Sequence, residues 1–294
     1  MTSRARRDLP YAILFLAPGF LGLLGFTIIP VVASLGLAFT DWNLLSPPQF
    51  VGLQNFRDMM GDRVLWISLK NSLIYASMLI PGSTALALGL ALVLNRNFRG
   101  ISLFRLCFMI PGVASLVAIA MIWRWLYNDQ FGLINAALRL IGLQPVGWLT
   151  STQWVLPAIV MMNLWSGMGF DAIIYLAALR NIPHHLYEAA ELDGANQWQR
   201  FWKITFPLLT PIHFYNLVIS VIGSFQVFDV IYVMTGGGPE FASRVYAYHL
   251  FLQAFRRFRM GYAAAMAWFL FLIIFVLTLI QWRVIGRHVE YEYM

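Results

Sequence analysis

Residues 180–211 read RNIPHHLYEAAELDGANQWQRFWKITFPLLTP and lie between two long apolar stretches. This charged segment stands out in a chain in which only 11 % of the residues are charged. Pro183 suits the first turn of a helix, where a missing N–H costs no hydrogen bond, and Gly194 suits the left-handed residue that ends one. The pattern predicts a short helix with acidic side chains and few neighbours of its own. We expect this helix to dock onto a partner outside the apolar layer.

The chain as a whole is too apolar for a soluble domain. Hydrophobic residues make up 60 % of it, and the mean hydropathy is +0.70. Because roughly 20 apolar residues cross a bilayer as a helix, we predict six transmembrane helices in a single transmembrane domain of residues 1–294. The fold class is an all-α integral membrane protein. The predicted spans are approximately residues 11–39, 71–94, 107–126, 153–179, 212–234 and 260–282.

Three connecting segments carry further expectations. Residues 40–70 mix aromatic residues, prolines and acids, which predicts an amphipathic segment that follows the outer membrane surface. In residues 127–153, the apolar spacing of FGLINAALRLIGL predicts a short helix lying along the membrane. The glycine-rich TGGGPEFASR, residues 235–244, is interpreted as a tight outer turn rather than a phosphate cradle, because no helix with a suitably placed lysine follows it.

The distribution of basic residues predicts the orientation of the chain. With the N-terminus inside, eleven of the 20 lysines and arginines lie on the cytoplasmic side and nine lie outside. The cluster from Arg256 to Arg259 opposes the positive-inside rule, whereas the group near the N-terminus supports it. We predict cytoplasmic N- and C-termini. Arginines beside membrane helices explain the net charge of +7, so we expect the lipid bilayer, and no nucleic acid, as a partner.

The sequence lacks the patterns of common catalytic sites. Neither of its two lysines follows a glycine, so the GxxxxGK[ST] nucleotide-binding loop is absent, and no GxSxG nucleophile motif is present. The adjacent histidines 184–185 lack metalloprotease spacing, and a single cysteine provides no multi-cysteine site, so no metal site is expected. Asp171 and Asp229 fall in apolar stretches, where a charge usually has a functional role. Structural pairing or exposure to headgroups is an open alternative for both.

Several motifs resemble those of binding-protein-dependent ABC transporter permeases. YEAA at residues 187–190, DGA at 193–195 and ITFPLL at 204–209 match the EAA loop of that family. The chain is most similar to the carbohydrate-uptake, maltose-type branch and to its larger permease subunit, although it lacks the long extracytoplasmic insert of some such subunits. Further matches, which extend the resemblance over most of residues 10–285, are FVGLQNF (50–56), IPGVASLVAIAMIWRWLYNDQFGLIN (110–135), FDVIYVMTGGGP (228–239) and GYAAAMAW (261–268).

This resemblance implies a multi-pass subunit of an importer in the bacterial cytoplasmic (inner) membrane. Its partners would be a second homologous permease, two ATPase subunits and an external solute-binding protein. ATP and magnesium would bind the ATPase subunits, so this chain is expected to be no enzyme and to need no cofactor. The solute would be a sugar or a related oligosaccharide, polyol or glycerophosphate-type compound.

The same resemblance assigns a role to the charged segment. It would hold a cytoplasmic coupling helix that fits a cleft in one ATPase subunit. Glu188 would contact a basic residue there, the alanines would allow close approach, and Gly194 would set the turn. The residues that match the coupling motif are Tyr187, Glu188, Ala189, Ala190, Asp193 and Gly194.

The resemblance also implies a solute path, since maltose-type permeases line their sugar site from the fifth span and the span before it. Aromatic faces and hydrogen-bonding groups together suit a sugar. Ser224 and Val227 stand where the maltose permease has amides, which argues against maltose itself. The candidate path residues are Ser115, Asn163, Trp165, Gly167, Phe170, Ser224, Gln226 and Asp229.

Helical spacing along the fifth span supports part of this path. Asn216, Ser220 and Ser224 recur every four residues and share one helical face, and Gln226 and Asp229 are expected to form a neighbouring stripe. Small polar residues also pack helices against each other, so packing and path lining both stay open for Asn216 and Ser220.

Two other classes of function compete with the importer. An ion-coupled secondary transporter or channel subunit would need paired intramembrane acids or broken-helix repeats, and only Asp171 and Asp229 are candidates. A membrane enzyme would need a polar catalytic cluster at the interface, which the sequence does not assemble. Co-purification with a second permease and an ATPase favours the importer, whereas autonomous ion-driven flux favours the secondary transporter.

Overall fold

The computed structural model describes residues 3–96 and 99–286, with side chains from residue 13 onward. The terminal residues on which the predicted cytoplasmic ends fall, 1–2 and 287–294, lie outside this range. A short antiparallel hairpin pairs β1 (Thr40–Asp41) with β2 (Gln49–Phe50). The helices are α1 (Ser3–Leu23), a π-helical turn (Leu24–Ile28), α2 (Ile29–Leu37), α3 (Gln54–Gly61), α4 (Arg63–Leu94), α5 (Ile101–Val113), α6 (Leu116–Leu126), α7 (Leu133–Leu140), α8 (Val155–Asn181), α9 (His184–Leu192), α10 (Gln197–Arg200), a π-helical turn (Phe201–Thr205), α11 (Phe206–Leu208), α12 (Thr210–Gln226), α13 (Asp229–Met234), α14 (Tyr246–Phe251), a π-helical turn (Leu252–Arg256) and α15 (Met260–Val284).

Five stretches of helix within the described residues are long and apolar enough to cross a bilayer. A sixth candidate exists if α5 and α6, which meet at 97°, count as one bent span. This helical architecture agrees with the predicted fold class. The five stretches are Ile13–Leu37, Arg63–Leu94, Val155–Asn181, Thr210–Met234 and Met260–Val284.

The prediction of a continuous third span at residues 107–126 is wrong. α5 starts six residues earlier than predicted and ends at Val113, two residues after Pro111, which has no N–H to donate to the helix. Ala114 and Ser115 then adopt extended backbone conformations, with ψ angles of 156° and 123°. An extended residue cannot continue the i to i−4 hydrogen bonds of a helix, so α6 starts afresh in a new direction.

The second and fifth spans also differ from their predicted bounds. α4 begins at Arg63 rather than near residue 71, so a charged turn precedes its apolar part. The fifth span, predicted as residues 212–234, is interrupted at Val227 and Phe228, between α12 and α13. Val227 has a ψ of 123°, which ends the helical hydrogen bonding at that point.

The larger of two compact units comprises Arg63–His249 and Leu272–Met294. Within it, α8 packs along α4, and α12 packs on the same pair. Helix association in a membrane depends on close packing, which small side chains allow. Alanines accordingly alternate with larger residues in the buried cluster between these helices. Its members are Ala87, Leu88, Ala91, Leu94, Ala172, Tyr175, Leu176, Ala178, Leu179 and Leu209.

The other compact unit comprises Met1–Asp62 and Leu250–Phe271. The buried Asn55 of α3 donates from Nδ2 to the backbone carbonyls of residues 38 and 40, both at 2.9 Å. Arg259 Nη2 lies 3.3 Å from Asp58 Oδ2. The segment 40–62 therefore folds into a hairpin and a helix held by specific polar contacts. The sequence had predicted only an amphipathic segment along the outer membrane surface, without these elements.

The connection between α6 and α8 contains the predicted short helix, here α7. Asn135 on this helix is fully buried, and its Nδ2 donates to the Val146 carbonyl at 3.0 Å. Its Oδ1 accepts hydrogen bonds from the Val146 N–H and from Trp148 Nε1, both at 3.0 Å. One amide thus fixes the path of the chain that returns to α8. The predicted glycine-rich turn at residues 235–244 is also present.

The crossing of α8 and α5 predicts the effect of one substitution. A Cβ atom at Gly169 would overlap the Phe108 carbonyl of α5, whereas a Cβ atom at Gly167 would meet nothing within 4 Å. Overpacking of this kind costs about 1–3 kcal/mol. We expect Gly169→Ala to lower the melting temperature of the purified protein by several degrees and Gly167→Ala to leave it nearly unchanged, as measured by thermal unfolding in detergent. Equal melting temperatures for the two variants would contradict this packing.

Candidate functional site

The short helix predicted in the charged segment is α9. Pro183 precedes it with an extended ψ of 130°, one residue before the first turn in which it was expected. None of the residues of α9 is buried, and Leu192 at its end is 90 % exposed. α9 therefore extends from the end of α8 as an exposed helix with a free face.

The end of α9 is fixed by a complete Schellman motif. Gly194 adopts the left-handed conformation with φ +77°, as its position predicts. The Ala195 N–H donates to the Ala190 carbonyl at 2.8 Å, and the Gly194 N–H donates to the Glu191 carbonyl at 3.0 Å. These two bonds satisfy carbonyl groups that a frayed helix end would leave open. The chain consequently leaves α9 in one defined direction.

A capping box begins the next helix, α10, directly after this turn. The Asn196 side chain accepts from the Gln199 N–H, and the Gln199 side chain accepts from the Asn196 N–H, both at 2.9 Å. The helical path then runs through α10, a π-helical turn and α11 towards α12. Asn-x-x-Gln before an apolar run is a recognisable capping signal, and it adds Asn196 and Gln199 to the residues that shape this site.

Two side-chain contacts tie α9 to this second helical stretch. The Tyr187 hydroxyl lies 2.9 Å from Thr205 Oγ1, and Thr205 is only 5 % exposed. Arg200 Nη1 donates to Glu191 Oε2 at 3.1 Å, but the carboxylate is largely exposed, and such surface ion pairs contribute little. The hydrogen bond of Tyr187 is therefore the stronger attachment. The sequence did not predict this bond, because it depends on the folded path of the chain.

The outward face of α9 presents both acidic and small side chains. Glu188 and Ala189 are exposed, whereas Tyr187 and Ala190 are partly buried. Glu188 Oε1 lies 2.9 Å from Nδ1 of the exposed His184 one turn earlier. Between α9 and the following helix, a cavity of about 370 Å³ is lined by Ala190, Asp193, Gly194 and residues of that following helix. Most of the predicted coupling residues are thus exposed, and Tyr187 and Ala190 are partly buried.

The predicted path residues are placed on three separate parts of the larger unit. Two aromatic candidates on α8 are exposed, Trp165 by 40 % and Phe170 by 58 %. The ring centroid of Trp165 lies 5.4 Å from that of Trp123. Asn163 donates to the Ile159 carbonyl of its own helix at 3.1 Å. Gly167 faces open space, and Ser115 lies exposed at the bend between α5 and α6.

The candidates from the fifth span do not form the expected stripe. Ser224 is fully buried, and its hydroxyl donates to the Val221 carbonyl at 2.9 Å. Gln226 ends α12 and Asp229 begins α13, and both are exposed. Because the helix is interrupted between them, the spacing of three residues does not place them on one helical face. Among the described residues, no hydrogen bond or ring contact joins these three to the candidates of α8.

No group of three or more His, Cys, Asp or Glu side chains that could hold a metal ion occurs in the part of the chain that the structure describes. His184, Glu188 and Glu191 all lie on α9, but Glu191 turns towards Arg200 while Glu188 contacts His184. The two acids therefore serve different contacts.

Comparison with known proteins connects this geometry to a family. The family described as "Binding-protein-dependent transport system inner membrane component" matches residues 83–288, which include α9 and the whole charged segment. The chain belongs to this family. It is an ABC transporter permease, a multi-pass protein of the inner membrane that works with a binding protein and carries no catalytic activity or cofactor of its own.

Similarity extends over the full length of individual permeases. The probable ABC transporter permease protein YesP of Bacillus subtilis is 39 % identical over 98 % of this chain and 94 % of its own. The trehalose/maltose transport system permease protein MalF of Thermococcus litoralis is 32 % identical over 98 % and 97 %. The crystal structure of a bacterial ABC transporter involved in the import of the acidic polysaccharide alginate is also similar, with a TM-score of 0.84, 26 % identity, and coverage of 97 % of this chain and 98 % of that one.

Protease cleavage tests the role of Gly194 in the turn that ends α9. A side chain at a left-handed position costs about 1–2 kcal/mol, most for β-branched residues and least for asparagine. We expect Gly194→Val to open the turn and to raise the rate of trypsin cleavage after Arg200 and Lys203 by roughly tenfold, since cleavage follows the population of the open form. Gly194→Asn is the matched control and should stay near the unaltered rate. Equal cleavage of all three proteins would contradict the role of this turn.

Proposed function

We propose that this permease forms the membrane path of an ATP-driven importer for a sugar or a related oligosaccharide, polyol or glycerophosphate-type solute. The observation that carries the proposal is α9, an exposed helix with defined ends that is tied to the start of the next span. The names of similar permeases, which refer to trehalose and maltose and to alginate, support the sugar class. In the proposal, residues 1–294 act as a single permease domain.

The proposed complex contains a second homologous permease, two ATPase subunits and an external solute-binding protein. α9 docks into a cleft of one ATPase subunit, where Ala189 allows close approach and Glu188 meets a basic side chain. A charge-assisted hydrogen bond of this kind contributes about 1.5–3 kcal/mol when it is buried. Closure of the ATPase subunits on ATP moves α9, and the bond between Tyr187 and Thr205 transmits this movement towards α12.

In the proposed orientation, the charged segment and both chain ends are cytoplasmic. The small majority of basic residues on that side supports this assignment. Docking to an ATPase gives a second reason, because ATP is available only on the cytoplasmic side. The glycine-rich turn and the hairpin between β1 and β2 are then external.

The solute path is proposed to follow the exposed candidates. Trp165 and Phe170 offer aromatic surface, and Gln226 and Asp229 offer hydrogen-bonding groups near the interruption of the fifth span. Ser224 reaches the path only if α12 moves, since its side chain is buried in the present conformation. Interrupted helices in membrane proteins expose backbone groups where they line a cavity, which fits a path beside Val227 and Phe228.

The function is tested by uptake into proteoliposomes that contain the two permeases and the two ATPase subunits. The external solution holds the cognate binding protein and, in turn, labelled maltose, trehalose or an alginate trisaccharide. We expect ATP-dependent uptake of at least one of these sugars. Uptake that is driven by an ion gradient without ATP would instead favour the alternative of an ion-coupled secondary transporter.

Charge reversal tests the proposed contact of α9. We expect Glu188→Lys to assemble with its partners and to lose most ATP-driven uptake, because two cations would then face each other in the docking cleft. His184→Ala is the matched control, since it removes only the partner that Glu188 has within this chain. It should retain uptake. Uptake at the unaltered rate by Glu188→Lys would contradict the docking role of Glu188.

A further inference from the structure

A surface cavity of about 640 Å³ has a lining that includes neither α9 nor the predicted path residues. It is lined by the end of α6 and the residues after it, the residues before α8, and the glycine-rich turn after α13. Its volume falls within the range of about 300–1,000 Å³ that is typical of small-molecule sites. The polar residues that line it are Arg124, Asn128, Asp129, Gln130, Thr150 and Thr235.

Hydrogen bonds between these three segments hold the cavity in shape. Arg124 Nη1 donates to the Val233 carbonyl at 3.1 Å, which joins α6 to α13. Thr150 Oγ1 donates to Asp129 Oδ2 at 2.7 Å, which joins the residues after α6 to those before α8. The walls are thus linked to each other without a ligand, and a ligand would find the polar groups already in position.

The lining combines donors and acceptors in the way that hydroxyl groups require. Asp129 accepts from Thr150 through Oδ2, and its Oδ1 can accept from a ligand. Arg124 is exposed and has guanidinium N–H groups beyond the one that contacts Val233. Gln130 adds an exposed side-chain amide, which both donates and accepts. A sugar hydroxyl does the same, so a polyhydroxylated ligand can match all three groups.

The charges of the cavity favour a neutral ligand. Its lining holds one guanidinium and one carboxylate, Arg124 and Asp129. Charged side chains beside the lining have both signs, since Arg139 donates to the Asp129 carbonyl, Glu240 follows the lining residue Pro239, and Arg244 lies close to Gly237 of the glycine-rich turn. Because the two charges of the lining cancel, the hydrogen-bonding groups rather than a net charge select the ligand, which favours a neutral saccharide.

Aromatic side chains connect this cavity to the proposed path. The ring centroid of Tyr127, whose residue also lines the cavity, lies 5.2 Å from that of Trp123. The Trp123 centroid in turn lies 5.4 Å from that of Trp165, the exposed path candidate of α8. The Tyr127 ring is fully buried, so the row is a packed link between the two places, and its exposed end at Trp165 offers an aromatic face to a sugar ring.

We propose that this cavity is an external subsite that binds a neutral saccharide after its release from the binding protein and before it enters the membrane path. The proposal rests on the proposed function, in which the segments around the cavity face outward. It names a place of sugar contact that is distinct from the candidate residues of α8, α12 and α13.

The experiment uses the complete transporter in proteoliposomes with maltose, trehalose and an alginate trisaccharide as separate probes. Gln130→Trp fills the cavity, and Asp129→Asn removes its carboxylate but keeps the hydrogen bond of Thr150 to an oxygen. Gln144→Trp is the matched control, because Gln144 is an exposed glutamine of the same connection and lies outside the lining. The measured quantity is the number of sugar molecules imported per ATP hydrolysed.

We expect the unaltered transporter to import a neutral sugar in preference to the alginate trisaccharide. Gln130→Trp should lower import per ATP by roughly tenfold, and Asp129→Asn should lower it by less, in line with the loss of one or two hydrogen bonds. Gln144→Trp should match the unaltered transporter.

Four results would overturn the proposal. Equal import per ATP in Gln130→Trp and Gln144→Trp would show that the cavity holds no sugar in transit. A parallel fall of import and of binding-protein-stimulated ATP hydrolysis in Gln130→Trp would assign the cavity to docking of the binding protein. Import of the alginate trisaccharide alone would contradict the neutral class. Import of none of the three sugars would leave the subsite without a saccharide ligand, whereas ion-driven uptake without ATP would overturn the proposed function itself.

Discussion

The hydrogen bond between the hydroxyl groups of Tyr187 and Thr205 is the contact on which the proposed transmission of movement from α9 to α12 depends. It spans 2.9 Å and involves a threonine that is almost fully buried. A hydrogen bond that is sheltered from water has less competition from solvent than an exposed one. Together with the Schellman motif at Gly194, it holds α9 against the helical stretch that leads into α12. In the proposed complex, this attachment lets α9 pass a displacement on to α12, whereas a helix on a flexible loop would absorb it.

The ends of α9 followed from the sequence because local rules decide them. Gly194 supplies the left-handed conformation, and the Asn196–Gln199 capping box restarts the helix two residues later. The bond between Tyr187 and Thr205 could not be predicted in the same way. These residues are 18 positions apart, and they meet only because the turn and the capping box together direct the chain back past α9.

The interrupted spans show a limit of predicting helices from hydropathy. Apolar composition alone predicted continuous helices, since a bent pair and a straight helix have the same hydropathy. Pro111 followed by Gly112 was a usable breaker signal for the bend between α5 and α6. Val227 and Phe228 contain no such signal, so the local sequence did not predict the interruption between α12 and α13. The same limit applies to the cavity beside Arg124, because its lining comes from segments that are far apart in the sequence and join only in the folded chain.

Site-specific photo-crosslinking can show whether the free face of α9 contacts an ATPase subunit, as the proposed docking requires. A benzophenone amino acid is placed at Leu192, which is 90 % exposed at the end of α9, or at Leu45, which is 89 % exposed in the hairpin between β1 and β2. The two positions are matched in residue type and exposure. After illumination of the assembled transporter, we expect an adduct between the ATPase subunit and position 192, and none with position 45. An ATPase adduct at position 45, or the absence of one at position 192, would show that α9 does not dock on the ATPase in the proposed way.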